Sequence, residues 1–146
     1  MRVVLDTNVV VSGLIFGGLP GRILTAWTTG AFTLVVSPPV LDEYRRVGRE
    51  LAKGRPPLDA ALDALLALLA LLALLAVHAT SIDAPPLSAR VSADPDDDTF
   101  LADAVAGEVS YVVSADRHLL EVTGWRGITV LKPRASVDGP LASRPR

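Results

Sequence analysis

Cysteine is absent from the 146-residue chain, and histidine occurs only at His78 and His118. Without cysteine there is no disulfide framework, and zinc loses its soft ligand; two histidines 40 residues apart do not form an HExxH-type pair either. A dominant charge is also lacking. Fourteen Lys and Arg nearly balance sixteen Asp and Glu, for a formal net charge of −2. No global field therefore marks a nucleic-acid partner, and any such site has to come from local clustering. Nor is there a long apolar run at the amino terminus. Met1 to Leu5 meets Asp6 too soon to act as the apolar region of a signal peptide, so a cytoplasmic protein is expected. What remains is an ordinary composition, 50% hydrophobic and 21% charged, at a length that suits one domain with a substantial core.

Apolar runs alternate with helical patterns along the chain. Val3 to Leu5 reads as a strand ending in Asp6-Thr7-Asn8, and Val9, Val10, Leu14 and Ile15 then recur near helical spacing. Residues 20–29 read as a second helix and Phe32 to Val36 as a second strand. Ser37 as N-cap and Pro38 at the first helical position start a helix that runs to Lys53. Gly54-Arg55-Pro56-Pro57 ends it, and another helix extends from about Leu58 to Val77. Pro85-Pro86 marks a loop, Arg90 to Ser92 a candidate strand, and Asp94-Pro95 the start of a helix to Ala106. Tyr111 to Val113 is strand-like, Asp116 to Val122 helical, and Ile128 to Leu131 a last strand. This order predicts an α/β fold, a parallel doubly wound sheet flanked by helices, over residues 1–134. Residues 135–146 are poor in apolar side chains and read as a poorly ordered tail.

The Ala/Leu helix stands apart. Alanines at 61, 64, 67, 70, 73 and 76 step by three, so they spiral around the axis and leave leucine on every side. Such a helix is expected to be buried nearly all round, in the core, against a second copy or partner, or both. Its uncharged stretch, Ala64 to Val77, would reach only ~21 Å against roughly 30 Å of hydrocarbon, so no membrane span is expected.

In a parallel sheet the site lies beyond the carboxyl ends of the strands, which directs attention to the acids there. Asp6 ends the first strand, Asp42 and Glu43 follow the second, Asp94 to Asp98 open a later helix, and Asp116 follows the Tyr111 strand. Any one of these can be a helix cap or a dipole partner. Helical phase separates them: Glu43 borders the stripe of Val40, Tyr44 and Val47, whereas Asp42 points away. Asp94 can cap, Asp96 and Asp97 can serve the dipole, and Asp98 shares a stripe with Leu101 and Val105, with Asp103 on the outer side. If Asp6, Glu43, Asp98 and Asp116 converge, two carboxylates 4 Å apart repel by about 4 kcal/mol at an effective dielectric of 20. Either protons or a hard divalent ion, Mg²⁺ or Mn²⁺, must then sit among them.

The segments VVLDTNVVVSGLIF, SPPVLDEYRRV, DPDDDTFLADAVAG and YVVSADRHLLEV, with acids spaced by about 40, 55 and 18 residues, resemble the PIN domain ribonucleases, specifically the VapC-like toxins of bacterial toxin–antitoxin pairs. The resemblance implies acids clustered at the carboxyl edge of a parallel sheet, Mg²⁺ or Mn²⁺, endonucleolytic cleavage of RNA, and a cognate antitoxin. It carries Asp6, Glu43, Asp98 and Asp116 over as catalytic acids and metal ligands, with Asn8 and Ser114 as polar supports; Thr7 beside them can also orient carboxylates or waters. Arg45, Arg46 and Arg49 supply a local basic excess for RNA, and the Ala/Leu helix a surface for a homodimer. Two other readings compete: a phosphatase of the haloacid dehalogenase type, which Asn8 disfavours by standing where that family has its second Asp, and a non-catalytic α/β binding module.

Overall fold

The computed structural model describes residues 1–142. In chain order its elements are β1 (Arg2–Leu5), α1 (Thr7–Ile15), α2 (Gly18–Thr28), β2 (Thr33–Val36), α3 (Pro38–Ala52), α4 (Pro56–Leu75) and β3 (Ala79–Ser81). They continue with α5 (Pro95–Ala106), β4 (Tyr111–Val113), α6 (Arg117–Leu120), β5 (Thr129–Leu131) and α7 (Pro133–Asp138). The five strands form one all-parallel sheet in the order β3-β2-β1-β4-β5. It is the α/β architecture that the alternating pattern predicts. Strand order reverses between β1 and β4, so their carboxyl ends lie side by side and open the crevice where such sheets bind ligands. Right-handed crossovers put α1 to α4 on one face and α5 and α6 on the other. Strand side chains Val3, Val4, Leu5, Val35, Val36, Val112 and Val113 are fully buried, as expected of a sheet covered on both faces.

Three local expectations are corrected. The strand expected at Arg90 to Ser92 does not form, because the Val91 and Ser92 amides donate to the Asp98 carboxylate at 3.1 and 2.8 Å and are not free for a ladder. The edge strand is instead Ala79–Ser81, three residues whose sequence lacks an apolar run and which are extended by pairing with Leu34 to Val36. At α3, Ser37 occupies the N-cap position but its hydroxyl makes no cap bond; it is buried against Asp103 instead. The tail is not loose over its first part either: α7 packs on α2 and β5, burying Ser136, Val137 and, beyond its end, Leu141. Of the expected tail, residues 143–146 lie outside the described residues.

The Ala/Leu helix is not buried all round. Leu62 and Leu69 enter the core, with Leu65, Leu66, Leu72 and Ala73 half-buried beside them at i, i+3, i+4 and i+7 spacing. Leu68, Leu71, Leu74 and Leu75 remain exposed, Leu74 at 83%. By length and composition α4 is apolar enough to cross a membrane, with a mean hydropathy of 2.3. It starts earlier than the uncharged stretch, at Pro56, and includes Asp59 and Asp63, both bound by Arg49 of α3 at 2.6 Å.

Candidate metal centre

Asp6 is the residue between β1 and α1, at the crevice. Its amide continues the sheet by donating to the Val113 carbonyl, which fixes the carboxylate at the ends of β1 and β4. Asp6 Oδ2 accepts from Ser114 Oγ at 2.6 Å, and the same hydroxyl accepts from the Asp116 amide at 2.9 Å. One buried serine thus sets the separation between the acids that follow two neighbouring strands. Asp116 caps α6, its Oδ1 accepting from the His118 amide at 2.8 Å.

From the opposite side α5 brings two more carboxylates. Asp94 is its N-cap, accepting from the Asp96 amide at 3.0 Å, and Pro95 takes the first helical position. Asp97 is only 3% exposed and accepts from Ser92 Oγ at 3.1 Å. Ligand oxygens of Asp94, Asp97 and Asp116 all lie within 4.8 Å of one another.

Burial and mutual charge shift the carboxyl pKa values. Burial raises the Asp6 pKa, opposed by the Ser114 hydroxyl and reinforced by Asp116, with the Asn8 and Thr7 amides pulling it down. Burial likewise pushes Asp97 up to about 7, and the charges of Asp116, Asp94 and Asp6 add to the rise against the Ser92 hydrogen bond. No Lys or Arg forms an ion pair with any of these four acids among the described residues. An oxygen-only, self-repelling donor set, with Asp97 buried and Asp94 and Asp116 half-buried, fits a hard divalent cation of the Mg²⁺ or Mn²⁺ type.

The residues expected from sequence divide here. Asp6, Asp116 and Ser114 meet as anticipated. Asp98 does not join them: its two oxygens hold the Val91 and Ser92 amides, and Asp97 takes the inward position. The inward stripe of α5 is Asp97, Phe100, Leu101 and Ala104, all buried, whereas Val105, on which the phase for Asp98 depended, is half exposed. Counting three and four from Asp97, the third residue of a helix fixed by its Asp94 cap and Pro95, would have found this stripe. The same shift turns Asp103 inward, not outward; it is 1% exposed, and burial raises its pKa to about 6 against the neighbouring Ser37 hydroxyl, which lowers it.

Glu43 is not among the three clustered carboxylates: Arg46 grips both its oxygens at 2.8 Å, and the same guanidinium also feels the charge of Asp96 on α5. Arg45 pairs with Asp42, and Arg49 with Asp59 and Asp63, so the basic excess of α3 is largely neutralised by local acids. Asn8 is exposed, while the Thr7 hydroxyl is buried without a partner. Neither caps α1, for which Asp6 is the N-cap residue without a side-chain bond. Sequence reasoning did not assign Asp94, Asp97 or Ser92 to the site.

A parallel α/β sheet with acids gathered at its switch point defines the doubly wound class, whose ligands bind in that crevice, and sequence comparison narrows it. A profile of the PIN domain family matches residues 2–118, a span that holds every acid of the crevice, and the chain belongs to that family. No curated protein matches it.

Proposed function

We propose that this PIN domain is a divalent-metal-dependent endoribonuclease and the toxin of a toxin–antitoxin pair, acting in the cytoplasm. The observation that carries the nuclease reading is the meeting of Asp94, Asp97 and Asp116 beside Asp6 at the switch point of the sheet. Asp97 and Asp116 are the best candidates to hold Mg²⁺ or Mn²⁺ directly, with Asp94 and Asp6 beside them. The ion, when bound, would supply Lewis-acid stabilisation to a phosphodiester and a water of lowered pKa. The chain's own part is positioning. Ser114 locks Asp6 and orients the Asp116 backbone; Ser92 locks Asp97; the α6 cap aims Asp116. Glu43 and Arg46 form a paired acid and base on α3, where Arg46, together with Arg45 and Arg49, is available to RNA phosphates once local pairs exchange. Incubation of the purified chain with single-stranded RNA tests the reading. Internal cleavage that requires Mg²⁺ or Mn²⁺ and stops with EDTA is expected; RNA left intact with either metal would overturn it.

The antitoxin proposal rests on the resemblance of the four motifs to VapC-like toxins, and the homodimer proposal on the exposed leucines of α4. Leu71→Glu/Leu74→Glu, both on the solvent side, should convert a wild-type dimer into a folded monomer by sedimentation, with unchanged circular dichroism. A wild-type monomer at tens of micromolar would rule the homodimer out.

A further inference from the structure

A row of hydrogen bonds crosses the carboxyl edge of the sheet. The Asp6 amide donates to the Val113 carbonyl at 3.0 Å and the Ser114 amide to the Leu131 carbonyl at 2.9 Å, with Val113 and Leu131 paired in register. Ser114 is also the residue whose hydroxyl binds the Asp6 carboxylate and the Asp116 amide. The end of β5 therefore lies one strand, about 4.8 Å, from the serine that sets the acids.

Three cations gather at this rung. Arg117 comes three residues after Ser114, at the start of α6, while Lys132 and Arg134 come one and three residues after Leu131, at the start of α7. All three are exposed. Lys132 and Arg134 form no ion pair among the described residues, and Arg117, its side chain 80% exposed, has only a loose contact with Glu121 at 3.8 Å. The arginines of α3 differ. Arg45, Arg46 and Arg49 are each closed on a local acid at 2.6 to 3.2 Å.

Nothing in the fold uses the three free charges. The first turn of a helix favours acids over cations, and α6 already has Asp116 as its cap. The crevice does not claim them either, since none of Asp6, Asp94, Asp97 and Asp116 is in an ion pair among the described residues. Once a divalent ion offsets those acids, Arg117, Lys132 and Arg134 are left as a net positive edge beside them. A strand whose cut phosphate sits at the ion carries further phosphates beyond it, and unpaired cations are what such phosphates bind.

We propose that Arg117, Lys132 and Arg134 hold the phosphates flanking the cut linkage, so that the RNA strand leaves the metal centre across the ends of β4 and β5. The identity of the strand rests on the nuclease reading above; the cations have their own readout in binding. No ion pair has to break for them to engage, whereas each arginine of α3 must first release an acid.

The full chain is titrated against a labelled oligouridylate by fluorescence anisotropy over a range of salt, with Ca²⁺ as the hard, oxygen-binding ion. Cleavage in Mg²⁺ is followed separately. Arg117→Gln/Lys132→Gln/Arg134→Gln should weaken binding about tenfold or more near roughly 0.1 M salt and flatten the slope of log affinity against log salt by about 2, at ~0.7 per lost contact. All three side chains are exposed, so its melting temperature should match wild type. In cleavage it should raise KM more than it lowers kcat. Arg45→Gln/Arg46→Gln/Arg49→Gln removes the same charge and should change the slope less than half as much. Arg126→Gln, ahead of the amino end of β5, should leave it unchanged.

A slope that the triple variant at α6 and α7 does not flatten, or that the α3 variant flattens as much, would overturn the proposal. Polyglutamate bound as tightly as oligouridylate would overturn the RNA assignment in favour of an acidic protein segment. RNA cut by a chain whose binding ignores these cations removes the patch and leaves the nuclease reading standing. Variant-sensitive RNA binding by a chain that cuts no RNA supports the patch and removes the nuclease reading.

Discussion

Asp97→Asn should lower metal-dependent RNA cleavage by about 100-fold or more, since loss of even a residue that only orients a metal ligand typically costs 10- to 100-fold. The substitution keeps the volume and removes one of three charges whose oxygens meet within 4.8 Å. It also relieves burial of a carboxylate whose pKa stands at about 7, so the metal-free variant should melt higher than wild type at neutral pH. Asp98→Asn is the informative contrast. Its oxygens serve the two backbone amides of Val91 and Ser92, and an amide side chain can accept through only one oxygen. Asp98→Asn should therefore cost about 1–2 kcal/mol of stability while leaving Mn²⁺ affinity close to wild type. Isothermal titration with Mn²⁺ and thermal melts on the two variants separate these roles. An inactive Asp98→Asn beside a fully active Asp97→Asn would restore the assignment that helical phase suggests.

In the absence of metal the protein should lose stability as pH rises through 6 and 7. Asp97 has a folded pKa of about 7 and Asp103 one of about 6, both driven first by burial, against ~3.9 for an unfolded aspartate. Between these limits the folded chain holds more protons than the unfolded chain. Its stability is therefore fullest near pH 4 and declines as each carboxyl is forced to ionise inside the fold. Asp6, also raised by burial, acts in the same direction. At 1.36 kcal/mol per unit the two shifts set an upper bound of roughly 7 kcal/mol, and a realised loss of about 3 kcal/mol corresponds to roughly 10 °C in Tm. Mn²⁺ at pH 7.5 should recover the share due to Asp97 and leave that of Asp103, while Asp103→Asn should remove the step near pH 6. Melting curves from pH 5 to 8, with and without Mn²⁺, provide the check. A metal-free Tm that climbs toward pH 7.5 would mean that neither carboxyl is held protonated.

Local chemistry was strong enough in the sequence to determine the α/β class and the positions of most elements. Unbroken apolar runs such as Val3 to Leu5 and Val35-Val36 suit strands covered on both faces, and Asp94-Pro95 fixes a helix start by cap and ring geometry together. The acids after β1 and β4 were legible for the same reason, since a parallel sheet places its site at those ends. Tertiary structure decided the rest. Ala79–Ser81 is a strand only because β2 offers it a ladder, and Arg90 to Ser92 is not one because Asp98 takes its amides. Which of Asp97 and Asp98 faces the crevice turns on the roughly 100° of one helical step. That rotation is set by how Phe100, Leu101 and Ala104 pack beneath the sheet, not by the charges in the sequence. The Ala/Leu helix carries leucine on every side, so its sequence defines no inner face. Packing against α3, β3 and the core selects Leu62 and Leu69 for burial and leaves Leu71 and Leu74 in solvent.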